Sequence, residues 1–123
     1  MTAEQAVAEY YDAWRNRRGD MSGVPLAEDL VFTGPVAGFE SAEGFRAMAR
    51  QAGAGVRSFA VRHQFTDGDL VCSVIDWEMD PVPGMMTSAE VLEIRDGKIV
   101  RGELIYDAEQ LRRAMARAQA QAG

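Results

Sequence analysis

Met85-Met86-Thr87-Ser88-Ala89-Glu90-Val91-Leu92-Glu93-Ile94-Arg95 is joined to Lys98-Ile99-Val100-Arg101-Gly102-Glu103-Leu104-Ile105-Tyr106 by the dipeptide Asp96-Gly97. A two-residue hairpin turn wants positive φ at both central positions, which Asp-Gly tolerates, so the stretch reads as an antiparallel hairpin. Side chains alternate between the faces of a strand. Met86, Ser88, Glu90 and Leu92 therefore share one face, and Thr87, Ala89, Val91 and Glu93 the other.

The same reading extends upstream. Phe59, Val61, His63 and Phe65 alternate with Ser58, Ala60, Arg62 and Gln64, the period of a half-buried strand. Thr66-Asp67-Gly68-Asp69 turns the chain into Leu70–Met79, and Pro81-Val82-Pro83-Gly84 turns it again, so 56–106 reads as antiparallel sheet. Trp77 shares a direction with Ile75 and Met79, whereas Asp76 and Glu78 point the other way. Those two acids, with Arg101 and Glu103, are expected in charge pairs on the outer sheet face.

Helices flank the sheet. Thr2 and Gln5 form a capping box, and Val7, Tyr10, Tyr11 and Trp14 fall on one apolar stripe ended by Gly19-Asp20. Pro25 is placed to open a short helix through Leu30, followed by the strand Leu30–Thr33 and the stop Gly34-Pro35. Ser41 caps a further helix with Phe45, Met48, Ala49 and Ala52 at helical spacing, closed by Gly53 and Gly55. Asp107 with Gln110 caps a last helix whose Leu111 and Met115 face inward. The result is an α+β fold, a single domain over 1–123, with a curved antiparallel sheet wrapped around N-terminal helices and an internal cavity between them.

Composition narrows the function. Thirteen Lys and Arg against nineteen Asp and Glu give a net charge of -6, so the basic footprint that nucleic acid or anionic membrane requires is missing. One cysteine, Cys72, suits a reducing compartment, and the expected location is cytoplasmic. No glycine-rich phosphate loop and no metal-ligand spacing occur, so no cofactor and no metal are implied. His63, the lone histidine, either serves as a general acid or base or is a packed, hydrogen-bonded residue of its apolar face.

The chain resembles the nuclear-transport-factor-2-like superfamily, and within it the SnoaL-like group with its polyketide cyclases, ketosteroid isomerases, limonene-epoxide hydrolases and scytalone dehydratase. The resemblance rests on Tyr10-Tyr11-Asp12-Ala13-Trp14 ending at Gly19-Asp20, Glu28-Asp29-Leu30-Val31-Phe32 before Gly34-Pro35, Ala89-Glu90-Val91-Leu92-Glu93-Ile94, Asp96-Gly97-Lys98-Ile99 and Tyr106-Asp107. It implies a cone-shaped scaffold, and it matches the isomerases' first-helix tyrosine to Tyr10 and their strand carboxylic acid to Glu90. Their general base falls on Gly34. The epoxide hydrolases' Asp–Arg–Asp set falls on Trp77, Ile75 and Leu104, and their Tyr and Asn on Phe32 and Gly34. The cyclases' last-strand acid also falls on Leu104.

The reading that follows is a cofactor-independent SnoaL-like enzyme of secondary metabolism acting on a small apolar carbonyl- or epoxide-bearing molecule, by isomerisation, cyclisation or elimination. Glu90 and Tyr10 are the catalytic pair, both donating to the substrate oxygen, with His63 moving a proton. Phe32, Phe59, Trp14, Ile75, Trp77, Met86, Ser88, Leu104 and Tyr106 are expected to bind the substrate, with Gly34 and Gly102 leaving room. A carboxylate facing that cavity would be desolvated and its pKa raised; the ketosteroid isomerases keep such an acid protonated near neutrality in this way. With the faces swapped, Glu90 is instead a solvated or interface charge. The alternative function is a non-catalytic small-molecule-binding or dimerisation domain. The expected partner protein is a second copy, docked through the outer sheet face.

Overall fold

Asp96 at φ 53° and Gly97 at φ 75° make the turn that the hairpin needs, and the sheet is built outward from it. The structure is a computed structural model describing residues 2–122. Its elements are α1 (Ala3–Asn16), β1 (Leu26–Thr33), β2 (Gly38–Phe39), α2 (Ala42–Gly53), β3 (Val56–Asp67), β4 (Leu70–Met79), β5 (Met86–Arg95), β6 (Lys98–Ile105) and α3 (Glu109–Ala122). The strands form one open sheet in the order β2-β1-β6-β5-β4-β3.

The sheet is antiparallel from β3 to β6, as expected, but β1 joins β6 in parallel, so the sheet as a whole is mixed. No helix opens at Pro25. The Pro25 carbonyl accepts from the Ile99 N–H at 2.9 Å, and Leu26, Ala27 and Leu30 are buried against the neighbouring strand while Glu28 and Asp29 face out. Burial of those apolar side chains against β6 outweighs the weak local preference for a helix start. The short strand β2, paired with β1 at Phe32↔Phe39, carried no sequence signal.

Irregular steps in the ladder curve the sheet, at Leu26/Val31, Val56/Ser58, Val61/His63 and Glu93/Ile94. The step between Val61 and His63 also reverses side-chain parity. Phe59 and Val61 stand opposite Trp77 and Ile75, but His63 stands opposite Val74, and Gln64 takes the inward place opposite Ser73. His63 is accordingly exposed and stacks near Phe65 on the outer face.

The concave face receives α1 and α2. The Thr2–Gln5 capping box and the Ser41 cap are both formed, and Asp107 Oδ1 accepts from the Glu109 N–H at the start of α3. Phe45, fully buried, lies against Phe32 and Tyr10. The outer face carries ion pairs between Arg62 and Asp76, Arg57 and Glu78, and Arg95 and Glu93. Asp76 and Glu78 are paired there as expected, whereas Arg101 and Glu103 form no ion pair among the described residues. Among the described residues, no helix is long and apolar enough to cross a membrane.

The junction of α1 with α2 is a backbone-to-backbone contact. A Cβ on Gly19, which sits at φ +80°, would lie 2.0 Å from the Ala49 carbonyl oxygen, and one on Gly53 would lie 2.1 Å from that of Arg18. Gly19→Ala is expected to cost at least about 2 kcal/mol from strain plus a clash that no rotamer relieves. Gly68→Ala, at φ +59° in open space, should cost about 1 kcal/mol. Urea denaturation of the two variants checks the difference.

Candidate active site

Curvature and helix cover leave a cavity of about 410 Å³ between the sheet and α1, α2 and α3. Trp14, Phe59, Trp77, Tyr106 and Phe32 supply aromatic wall, and Phe39, Met48, Ile75, Met79, Leu104, Leu111 and Met115 supply further apolar wall. Gly34, Pro35, Val36 and Ala37 border it after β1. Among the described residues neither Lys, Arg nor His lines it; its acids are Glu90 and Asp80. Asp80 is exposed and ion-paired with Arg57.

Glu90 is the buried one, 3% exposed. Strand parity puts it inward with Met86, Ser88 and Leu92, all buried, while Thr87, Ala89, Val91 and Glu93 face the other way. The α1 stripe brings Tyr10 over it, and the Tyr10 Oη donates to Glu90 Oε2 at 2.8 Å. This differs from two donors converging on one ligand atom: the phenol serves the carboxyl, leaving Oε1 for a ligand.

Burial pushes the Glu90 carboxyl up from 4.5 to about 7, against the pull of the Tyr10 and Tyr11 hydroxyls, which favour the anion. Burial, followed by the nearby Glu90 charge, raises Tyr10 well above its ordinary value, so it remains a donor at neutral pH. Tyr106 is also raised by burial, with Arg112 acting in the opposite direction. The site is thus a carboxyl that changes charge near neutrality, beside a phenol that does not.

Of the residues expected to contact substrate, Tyr10, Trp14, Phe32, Phe59, Ile75, Trp77, Glu90, Leu104 and Tyr106 line the cavity. Three do not. His63 is exposed on the outer face because of the parity reversal in β3, so it is removed from the catalytic set. Ser88 is buried behind Trp77 and accepts from its Nε1 at 2.6 Å, fixing the indole that forms the wall. Met86 is buried opposite Trp77 in the ladder without reaching the cavity. Sequence reading missed Pro35–Ala37, Phe39 and Val56, which lie in a loop, in the two-residue β2 and at the first position of β3 and carry no periodic signal; Ala52 was at helical spacing but was not assigned to the site. Among the described residues, no three or more His, Cys, Asp and Glu gather where they could hold a metal ion.

The raised carboxyl ties stability to pH. Folded Glu90 keeps its proton where the unfolded chain has lost it, so its contribution is complete below about pH 4.5 and is lost as pH rises to about 7. Across that window the wild type should lose about 3 kcal/mol relative to Glu90→Gln. Urea melts of both proteins at a pH on either side measure this, and parallel pH curves would contradict it.

The comparisons with known proteins bear on the fold and the family. Among curated proteins none matches the chain. A steroid delta-isomerase from Pseudomonas aeruginosa is 24% identical, with 98% of this chain and 93% of that one covered and a TM-score of 0.76. An LEH-like epoxide hydrolase from M. tuberculosis is 20% identical over 97% and 96%, TM-score 0.70. A hypothetical protein of ketosteroid isomerase-like fold from Catenulispora acidiphila, solved in complex with trimethylamine, is 15% identical over 94% and 95%, TM-score 0.73. At these identities the likeness is one of fold. The family model of the SnoaL-like domain matches residues 7–102, most of the chain, from within α1 to within β6, and the chain therefore belongs to the SnoaL-like domain family.

Proposed function

We propose that the chain is a cofactor-independent enzyme acting on a small apolar carbonyl- or epoxide-bearing molecule, such as a polyketide or terpenoid intermediate of secondary metabolism. The observation that carries this reading is Glu90, buried at an apolar cavity, bonded by Tyr10 and titrating near neutrality. A substrate oxygen in the cavity accepts the Glu90 proton as negative charge develops on it. The carboxylate left behind is stabilised by the Tyr10 hydrogen bond, which strengthens when its acceptor is charged. The aromatic walls hold the substrate in a reactive conformer and exclude water. Gly34 offers no side chain as a base, so the nucleophile belongs to the substrate. In the epoxide case, a C–O bond breaks with its electron pair going to the oxygen that takes the proton, and a substrate hydroxyl attacks the carbon. The attacking hydroxyl's proton passes to the Glu90 carboxylate, which restores the acid.

A second reading is a non-catalytic binding module whose ligand is an amine cation. It is favoured by a buried carboxyl with no cationic side chain in its cavity, since buried charges are normally paired, and by Trp14, Phe59 and Trp77 as faces for cation–π contact. The trimethylamine complex of the Catenulispora protein is consistent with it. The lone, half-buried Cys72 suits a cytoplasmic setting for either reading.

The two readings have opposite pH signs. Turnover of cyclic enones or hydroxy-epoxides should fall as pH rises through about 7, and Glu90→Gln should lower it by about 10²–10⁴-fold with binding little changed. Tetramethylammonium binding, followed by calorimetry against neutral neopentyl alcohol, should instead tighten through the same range if the second reading holds. Unchanged turnover in Glu90→Gln sinks the first.

For the partner, the outer face presents two ladder rows, Phe65–Cys72–Val91–Glu103 and His63–Val74–Ala89–Ile105. Phe65 is 64% exposed and Ile105 53%. A second copy related by a two-fold axis would cover them. Light scattering should give a dimer for the wild type and a monomer for Val91→Arg; a monomeric wild type overturns this.

A further inference from the structure

The inward rung of the sheet beside the cavity is polar, and its middle is closed to solvent. Gln64, Ser73 and Glu90 stand opposite one another across β3, β4 and β5. Ser73 is fully buried and its Oγ accepts from Gln64 Nε2 at 3.1 Å. Tyr11, on whose hydroxyl the rung's Ser73 and Glu90 act, is 2% exposed, and that hydroxyl has no hydrogen-bond partner among the described residues. A buried hydroxyl without a partner costs about 1–3 kcal/mol. Proton donation by Glu90 to a substrate makes no use of it.

The direction of the donors along this rung is fixed at one end. An amide NH₂ only donates, so Gln64 occupies an acceptor site on Ser73 and leaves the Ser73 O–H to point onward. Ser73 and Glu90 are the polar side chains whose hydrogen-bonding groups act on the Tyr11 hydroxyl. Tyr10 already holds Oε2.

We propose that Tyr11 is a positioning residue for the acid, and that Gln64, Ser73 and Tyr11 form a one-way hydrogen-bond chain that closes onto Glu90 when it becomes a carboxylate. While Glu90 is protonated the last link stays open and the Tyr11 hydroxyl goes without a partner. On ionisation, Gln64 N–H gives to Ser73, Ser73 O–H to Tyr11 and Tyr11 O–H to Glu90, each donor polarised by the one behind it. The acid then has two phenols on its anionic form: Tyr10 always, Tyr11 only when charged. The inference rests on the proposed role of Glu90 as proton donor, because it supplies stabilisation to the state that donor leaves behind.

The groups that face Glu90 are few enough to attribute an effect. Tyr10 and Tyr11 approach from α1, Ser73 from β4 and Leu104 from β6, with Tyr106 beyond β6 elsewhere in the cavity. Arg62 and His63 of β3 and Cys72 of β4 occupy outward positions. Neither a Lys, an Arg, a His nor a second carboxylate acts on Glu90 directly. Burial drives its carboxyl up, and the two tyrosine hydroxyls pull against it.

The experiment needs no substrate. The protein is labelled with carboxyl-¹³C glutamate, Glu90 is assigned by its loss in Glu90→Gln, and its titration is followed by NMR. Tyr11→Phe should move the midpoint up by about one pH unit, a tenfold fall in the ionisation constant. Gln64→Leu, an exposed change two links away, should move it in the same direction by a smaller amount, and Ser73→Thr should restore what Ser73→Ala loses. A midpoint unmoved by Gln64→Leu and Tyr11→Phe overturns the chain; should Tyr11→Phe not fold, Gln64→Leu and Ser73→Ala decide. Absence of turnover on every enone and epoxide would fail the catalytic reading alone, so the two failures are distinguishable.

Discussion

A carboxyl taken out of water and given no cation must lose its charge, find donors, or wait for a ligand. Glu90 meets that constraint with the Tyr10 hydroxyl and a proton held to about pH 7, and much of the architecture serves to keep it so. The α1 stripe is set deep enough for Tyr10 to reach β5, and Phe45 of α2 stacks on the Tyr10 ring from the other side. The backbone contact between Gly19 and α2 fixes how closely the two helices approach. Opening any of these would admit water, and the carboxyl would revert toward an ordinary acid.

Sheet geometry decides which side chains share the cavity with that acid. Gly102 is a clear case, because a Cβ there would fall 2.5 Å from Phe32 Cδ2. The missing side chain lets the Phe32 ring lie across β6, where it meets Phe45 and forms cavity wall. Ser88 acts at one remove, pinning the Trp77 indole. Shape thus comes from backbone approach and buried hydrogen bonds as much as from the wall residues themselves.

How far the sequence foretold this varies with the physics of each element. Asp96-Gly97, the Thr2–Gln5 box and the parity of Met86 to Leu92 were legible, because each depends on neighbours in the chain. The inward placement of Glu90 followed from that parity together with the family resemblance. His63 was misread because an irregular ladder step beside it flips every later side chain of β3, and such steps leave no mark in hydrophobic spacing. The stretch after Pro25 was misread because the strand that captures it, β6, lies about seventy residues away. The Tyr10–Glu90 hydrogen bond spans a sequence separation of 80, so the resemblance brought the two side chains together but the residues alone did not show which serves which.

The cavity is assembled from two kinds of chain. Glu90 and Tyr10 stand on regular elements, whereas Pro35, Val36 and Ala37 lie in a loop, and Leu111 and Met115 on a terminal helix tied back by the Arg112 guanidinium to the Pro35 carbonyl. That helix also lies beyond the residues matched by the family. Changes in the loop or helix need not disturb the acid, its phenol or the sheet. Substitutions at the rim can therefore change which molecules are admitted while the Tyr10–Glu90 pair beneath is left as it is.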